Sequence, residues 1–148
     1  MVTIDEARPD DAEVISQIIG EIEAYYGGAH VPGDIAQIRA ALFSDRPVAT
    51  VLLARDGADV LGLASYTLMW PAAGAETSLF LKELFVREPA RRNGIARALL
   101  ASLHDAAADK GCSRIEWLAD RDNPPALAFY AAVGAKADDG KVFFRIQQ

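Results

Sequence analysis

The chain has 148 residues, 51% of them apolar, which suits one domain of ordinary size and is too short for two. One cysteine, Cys112, and two histidines, His30 and His104, exclude a disulfide framework and a four-ligand structural zinc site, and no apolar run approaches a membrane span. The net charge of -6 excludes the long basic stripe that nucleic acid requires, so the expectation is a single domain over residues 1–148, free of metal, in a reducing, cytoplasmic setting without a secretory leader.

Residues 2–7 read as a short strand. Pro9 to Glu13 open a helix with early acids that suit its dipole, and Val14, Ile15, Ile18, Ile19 and Ile22 give residues 11–26 one apolar face. A second helix covers residues 34–43, with Ile35, Ile38 and Leu42 on one side. Residues 48–54, a turn at Asp56-Gly57 and residues 60–69 predict a hairpin, and residues 77–86 a third long strand. Helical spacing returns at Ile95, Leu99, Leu100 and Leu103, predicting a helix over 93–109 that Lys110-Gly111 closes. Residues 115–119 predict a strand, Asn123-Pro124-Pro125 a helix start and Gly134 its end, and residues 135–147 strand pieces around Asp138-Asp139-Gly140. The order β-α-α-β-β-β-α-β-α-β-β predicts an α+β fold, a mixed central sheet flanked by helices. Trp70, Trp117, Phe85 and Phe129 are expected in the core, and Cys112 as a packed thiol.

Charge is unevenly placed: residues 1–81 hold 12 acidic and 4 basic side chains, and residues 82–148 hold 9 and 11. Lys82, Arg87, Arg91, Arg92 and Arg97 form a basic island, which suits a nucleotide phosphate or, equally, a solvated helix end. Its setting favours the phosphate. A strand ends at Val86, a loop with three arginines follows, and a helix begins at Asn93-Gly94-Ile95-Ala96. The first turn of a helix has N–H groups without internal partners and the positive end of the dipole, and small residues let an anion reach them.

Arg91-x-x-Gly94-x-Ala96 resembles the Arg/Gln-x-x-Gly-x-Gly/Ala motif of the GNAT superfamily of acyl-CoA-dependent N-acetyltransferases. Asn123-x-x-Ala126-x-x-Phe129-Tyr130-x-x-x-Gly134-Ala135 resembles a second motif of that family, in the expected order and one strand downstream. The stretches around Ile19 to Tyr26 and Leu81 to Val86 look most like the diamine and spermidine/spermine acetyltransferase branch. Arg92 stands where a glycine is commonest, and Lys82 where polyamine-type enzymes carry an acid.

The resemblance implies acetyl-CoA as donor, a small amine as acceptor and direct attack in a ternary complex. It implies that Arg91, Arg92 and the Asn93, Gly94, Ile95, Ala96 and Arg97 amides hold the pyrophosphate. Val86 would pair with the pantetheine arm, and Phe85, Asn123 and Ala126 would complete the donor site. The Leu84 amide would donate to the thioester carbonyl, which requires β-strand divergence or a bulge, and Tyr130 would protonate the departing sulfur. Glu83, the acid on the central strand, or a water would serve as base. Glu21, Glu23, Tyr25, His30 and Lys82, with Asp34 nearby, would border the acceptor, the acids favouring a cation. Residue type alone also allows Tyr130 a packing role, Glu83 an ion pair with a loop arginine, and Glu21 and Glu23 a solvated helix face. A homodimer is compatible with the family, and the alternative function is a non-catalytic acyl-CoA-binding sensor or partner module on the same fold.

Overall fold

In the computed structural model, which describes residues 1–148, strand β1 (Val2–Glu6) leads through a 3-10 turn (Pro9–Asp11) into helix α1 (Ala12–Tyr25) and helix α2 (Ile35–Leu42). Strands β2 (Thr50–Asp56), β3 (Asp59–Met69) and β4 (Thr77–Val86) follow, then a 3-10 turn (Glu88–Ala90), α3 (Ile95–Asp109), β5 (Cys112–Trp117) and α4 (Pro124–Ala132). The five strands form one sheet in sequence order, antiparallel throughout except for the parallel pair β4 and β5 that α3 connects. Met1–Leu118 makes one compact unit and Ala119–Gln148, which carries α4, a second.

The helical period over residues 12–25 buries Ala12, Ile15 and Ile18 with Ile38 of α2 against Val51, Leu53, Val60, Leu63 and Phe85. Burying a side chain of this size contributes roughly 1.5–3 kcal/mol, so this apolar stripe is what fixes α1 on the sheet. Helix α3 serves the other face, burying Ile95, Leu99, Leu100, Leu103 and Ala107. The helix ends follow their sequence signals: Asp34 Oδ1 accepts from Gln37 N–H at 2.9 Å at the start of α2, and Gly111 (φ 70) and Gly134 (φ 88) follow the ends of α3 and α4.

Three expectations are corrected. Strand β5 starts at Cys112 and ends at Trp117, earlier than expected at both ends, because it pairs alongside β4 from Thr77 onward. The two strands expected within residues 135–147 are not formed: the segment holds the charges of Lys136, Asp138, Asp139, Lys141 and Arg145 among short apolar pieces, and its own compact unit has no strand. Trp70 is 69% exposed instead of buried, its indole N–H donating to Ala75 O at 2.9 Å across the β3–β4 connection.

The start of α1 is bound to the sheet by charge. Arg55 of β2 donates to both carboxylate oxygens of Asp11 at 3.0 and 2.7 Å, and through Nε to Asp5 of β1 at 2.9 Å. Asp11 also accepts from the Arg8 N–H at 2.8 Å. The hydrogen bonds from Arg55 hold the Asp11 carboxyl below its ordinary value of 3.8, against burial, which pushes the other way. A carboxyl depressed by folding contributes its full stability above 3.8 and loses it as pH falls through the lower folded value. Asp11→Asn should therefore cost about 2 kcal/mol in urea denaturation at neutral pH. The gap from the wild type should close progressively below 3.8.

Candidate active site

The parallel pairing of β4 with β5 runs from Thr77 with Cys112 to Leu81 with Trp117 and goes no further, while β4 stays paired with β3 as far as Val86 with Gly62. Over residues 82–86 the sheet is therefore split. Beyond the strand, the Arg87 N–H points to β3, donating to Leu61 O at 2.9 Å. Successive N–H groups of a strand point to opposite edges, so those of Leu84 and Val86 face the edge that β5 has left. This is the divergence that a thioester-binding amide at Leu84 requires.

A bulge sits at the start of the split. Ser65 pairs with Glu83 and Tyr66 with Leu81, so Lys82 is the extra residue and lies exposed. Paired residues share a face, and Ser65 and Tyr66 lie on opposite faces. Leu81 and Glu83, two apart, are thus turned to opposite faces as well. Glu83 joins Leu63 and Phe85 on the α1 side of the sheet, half-buried, and Lys82 takes the unpaired place.

After β4, the 3-10 turn carries the chain to α3. Arg92 adopts φ 66 and Gly94 φ 76, both left-handed. A glycine meets that conformation without cost, whereas an arginine bears roughly 1–2 kcal/mol. A Cβ added at Gly94 would meet nothing within 4 Å, so the ground before the helix is open. Asn93 Nδ2 donates to the carbonyls of Ala90 and Arg91, each at 3.1 Å, and the Ala98 N–H bonds Gly94 O at 3.1 Å to close the first helical turn. Arg91 lies over the rings of Tyr25 and Phe85, and its Nε donates to Val86 O at 2.9 Å, occupying the carbonyl of the residue expected to pair with the pantetheine arm.

The acceptor-side residues divide. Glu21 is engaged by Arg87, whose Nε reaches both carboxylate oxygens at 3.1 Å and whose Nη2 reaches Oε2 at 2.7 Å, while Nη1 reaches Val60 O at 3.3 Å. Asp34 is the cap of α2. Glu23 is exposed, and Tyr25, half-exposed, meets Phe85 edge to face. The loop after α1 is docked back on the helix: Gly33 N–H donates to Ser16 O at 3.0 Å, and the Ser16 hydroxyl donates to Gly33 O. His30 is exposed, with its ring beside Gly20. Sequence reasoning counted Arg87 in the basic island and missed its pairing with Glu21, and it did not single out Ser16, since each acts through a partner far along the chain.

In the second unit, Asn123 caps α4, its Oδ1 accepting from Ala126 N–H at 3.4 Å, so these two residues of the downstream motif set the start of the helix. Tyr130 lies on the same helix, its ring 5.6 Å from that of Phe129. No group of three or more His, Cys, Asp or Glu is placed to hold a metal, and no helix is long and apolar enough to cross a membrane.

The arrangement of a split parallel strand pair followed by an anion-suited helix start belongs to a known class. The chain matches the acetyltransferase (GNAT) family over residues 15–135 and is a member of it. It is 32% identical over 113 residues to aminoglycoside N(6')-acetyltransferase type 1 of Serratia marcescens, covering 74% of this chain and 77% of that one. It is also 31% identical over 77 residues to L-ornithine N5-acetyltransferase NATA1 of Arabidopsis thaliana, a match spanning 52% of this chain and 34% of that protein's length. Among solved structures, an integron cassette protein from the mobile metagenome of V. cholerae superposes with a TM-score of 0.85 at 30% identity, covering 99% of this chain and 93% of that one.

The Glu21 to Arg87 pair joins α1 to the end of β4, with both side chains about three-quarters buried. Arg87→Met leaves Glu21 without its cation and should lower stability by about 2 kcal/mol in chemical denaturation. Glu21→Gln in the Arg87→Met background should restore part of that loss.

Proposed function

We propose that residues 1–148 act as one N-acetyltransferase domain that moves an acetyl group from acetyl-CoA to the primary amine of a small cationic acceptor, by direct attack in a ternary complex. The observation that carries this reading is the split of β4 from β5 beside the start of α3, with the amides of Leu84 and Val86 turned to the open edge. The family match spans both compact units, which favours their working as one domain. Two relatives named for acting on ornithine and on aminoglycosides support an amine acceptor, and both of those acceptors carry more than one cationic group.

In this reading the backbone from Asn93 to Arg97 receives the pyrophosphate, with Arg91 and Arg92 adding charge. Val86 aligns the pantetheine arm, and the Leu84 N–H stabilises the negative charge that grows on the thioester oxygen as the amine attacks. Glu83, or a water beside it, takes the proton that the attacking nitrogen sheds. Tyr130, a phenol that stays protonated at neutral pH, gives a proton to the departing CoA sulfur. Glu23, Tyr25, His30 and Lys82 border the acceptor. Glu21 contributes by holding α1 through Arg87, because its charge is already compensated there. A reducing cytoplasmic setting and a homodimer are part of the reading, with no role for nucleic acid or membrane.

Two measurements test it. Gly94→Glu places bulk and negative charge in front of α3, so calorimetric binding of CoA should be lost while the wild type binds at micromolar levels or tighter. Unchanged affinity in that variant would refute the donor site. Tyr130→Phe should leave CoA affinity intact and lower kcat for thiol release, across a panel of amines, by on the order of 10²-fold. A wild type that binds CoA and turns over no amine would place the chain with the non-catalytic sensors.

A further inference from the structure

A cavity lies on the face of the sheet that α3 covers, at the far end of that helix from its anion-suited start. Register places Ile4 and Glu6 of β1, opposite Ala54 and Leu52 of β2, on one face, and Tyr66 of β3, opposite Thr50, on the same one. Ser102, Asp105, Ala106 and Asp109, at three- and four-residue spacing, give α3 one side that meets the cavity, about 360 Å³ in volume, which is within the size of small-molecule sites. Ala106 is roughly 18 Å along the helix from Gly94. The last turn of α3 carries no base, and Asp105 and Asp109, one turn apart, repel each other at the negative end of the helix dipole. Glu6 lines the same cavity from β1. None of these three carboxylates is in a salt bridge, although Lys110 lines the cavity as well, and Asp5, the fourth acid, is already held by Arg55 at 2.9 Å. Tyr66 is 3% exposed and its hydroxyl has no hydrogen-bond partner. No enclosed side-chain oxygen in the structure lacks a partner, so this phenol oxygen opens on the cavity that its residue lines.

We propose that the groove between β1 and the C-terminal half of α3 is a binding site for a small organic cation with an apolar body, of the arylalkylammonium class. The ammonium lies among Glu6, Asp105 and Asp109 and donates to the Tyr66 oxygen, a charge-assisted bond that satisfies a group the fold leaves unpaired. The apolar body covers Ile4, Leu52 and Ala106. The carboxylates do not converge closely enough to hold a metal ion, so a bare inorganic cation is a poor occupant. A hydrophilic cation meets the charges and leaves the apolar lining uncovered. The site is separate from the split of β4 and β5, and the inference stands whether or not the chain turns over an amine.

NMR titration of the ¹⁵N-labelled whole chain with 2-phenylethylammonium tests this, with 2-phenylethanol as the uncharged control. The N–H signals of residues 4–6 and 102–110 should shift together, with a Kd in the millimolar range or below, and 2-phenylethanol should bind about fivefold more weakly. Tyr66→Phe removes an oxygen that the fold does not use, so the melting temperature should hold while affinity falls about tenfold. Asp105→Asn combined with Asp109→Asn, both exposed, should weaken binding about fivefold, and Glu13→Gln, exposed on α1 and outside the cavity, should leave it unchanged. Shifts confined to residues 83–86, equal affinity for 2-phenylethanol, or full affinity in Tyr66→Phe or in the double aspartate variant overturns the proposal.

Discussion

Over residues 78–81 the N–H and C=O groups of β4 are shared between β3 on one side and β5 on the other, and from Lys82 onward only β3 remains. A strand in the middle of a sheet has no spare backbone groups, so a fold that recruits its own main chain to grip a ligand must first give up some of its pairing. The parallel connection makes this possible. Helix α3 takes the chain away at the far end of β4 and returns it to β5 at the near end, so the two strands start together and can separate where the helix starts. The same crossover sets the start of α3 beside the opened edge.

Helix α1 depends on the sheet in a different way. Its apolar face fixes it against β2, β3 and Phe85, while an arginine from the sheet side grips it toward each end: Arg55 holds Asp11 before its first turn, and Arg87 holds Glu21 one turn before its end. A planar guanidinium meeting a carboxylate through two hydrogen bonds fixes direction as well as distance. Rotation of α1 is restrained more tightly than burial alone would manage, and Tyr25, one turn beyond Glu21, is thereby kept over Phe85.

Most elements were legible from periodicity. Residues 77–86 were assigned to a strand with both ends correct, and α1 and α2 differ by a residue or so from their expected limits. The anion-suited start of α3 was legible because glycine, asparagine and alanine mark it locally. What escaped depends on partners that sequence spacing does not reveal. The pairing of Glu21 with Arg87 crosses 66 positions, and each residue alone reads as surface charge. The need for a bulge or divergence in β4 could be stated from chemistry, but its location at Lys82 is fixed by register with β3. The strands expected after Gly134 rested on short apolar pieces beside Asp138-Asp139-Gly140, and such pieces do not by themselves make a strand.

The bulge also governs which changes the strand can absorb. With Lys82 outside the ladder, its side chain is nearly irrelevant to the sheet, and many replacements there would leave the fold alone. Its presence as a unit of chain length is another matter. Removal of that one residue would restore plain alternation with Leu81 and Glu83, then adjacent, still on opposite faces and still opposite Tyr66 and Ser65, but it would take away the local bend that a bulge gives the strand where β5 leaves it. The position thus matters through the bend of the backbone and not through the side chain it carries, and that bend is set by chain length at this point.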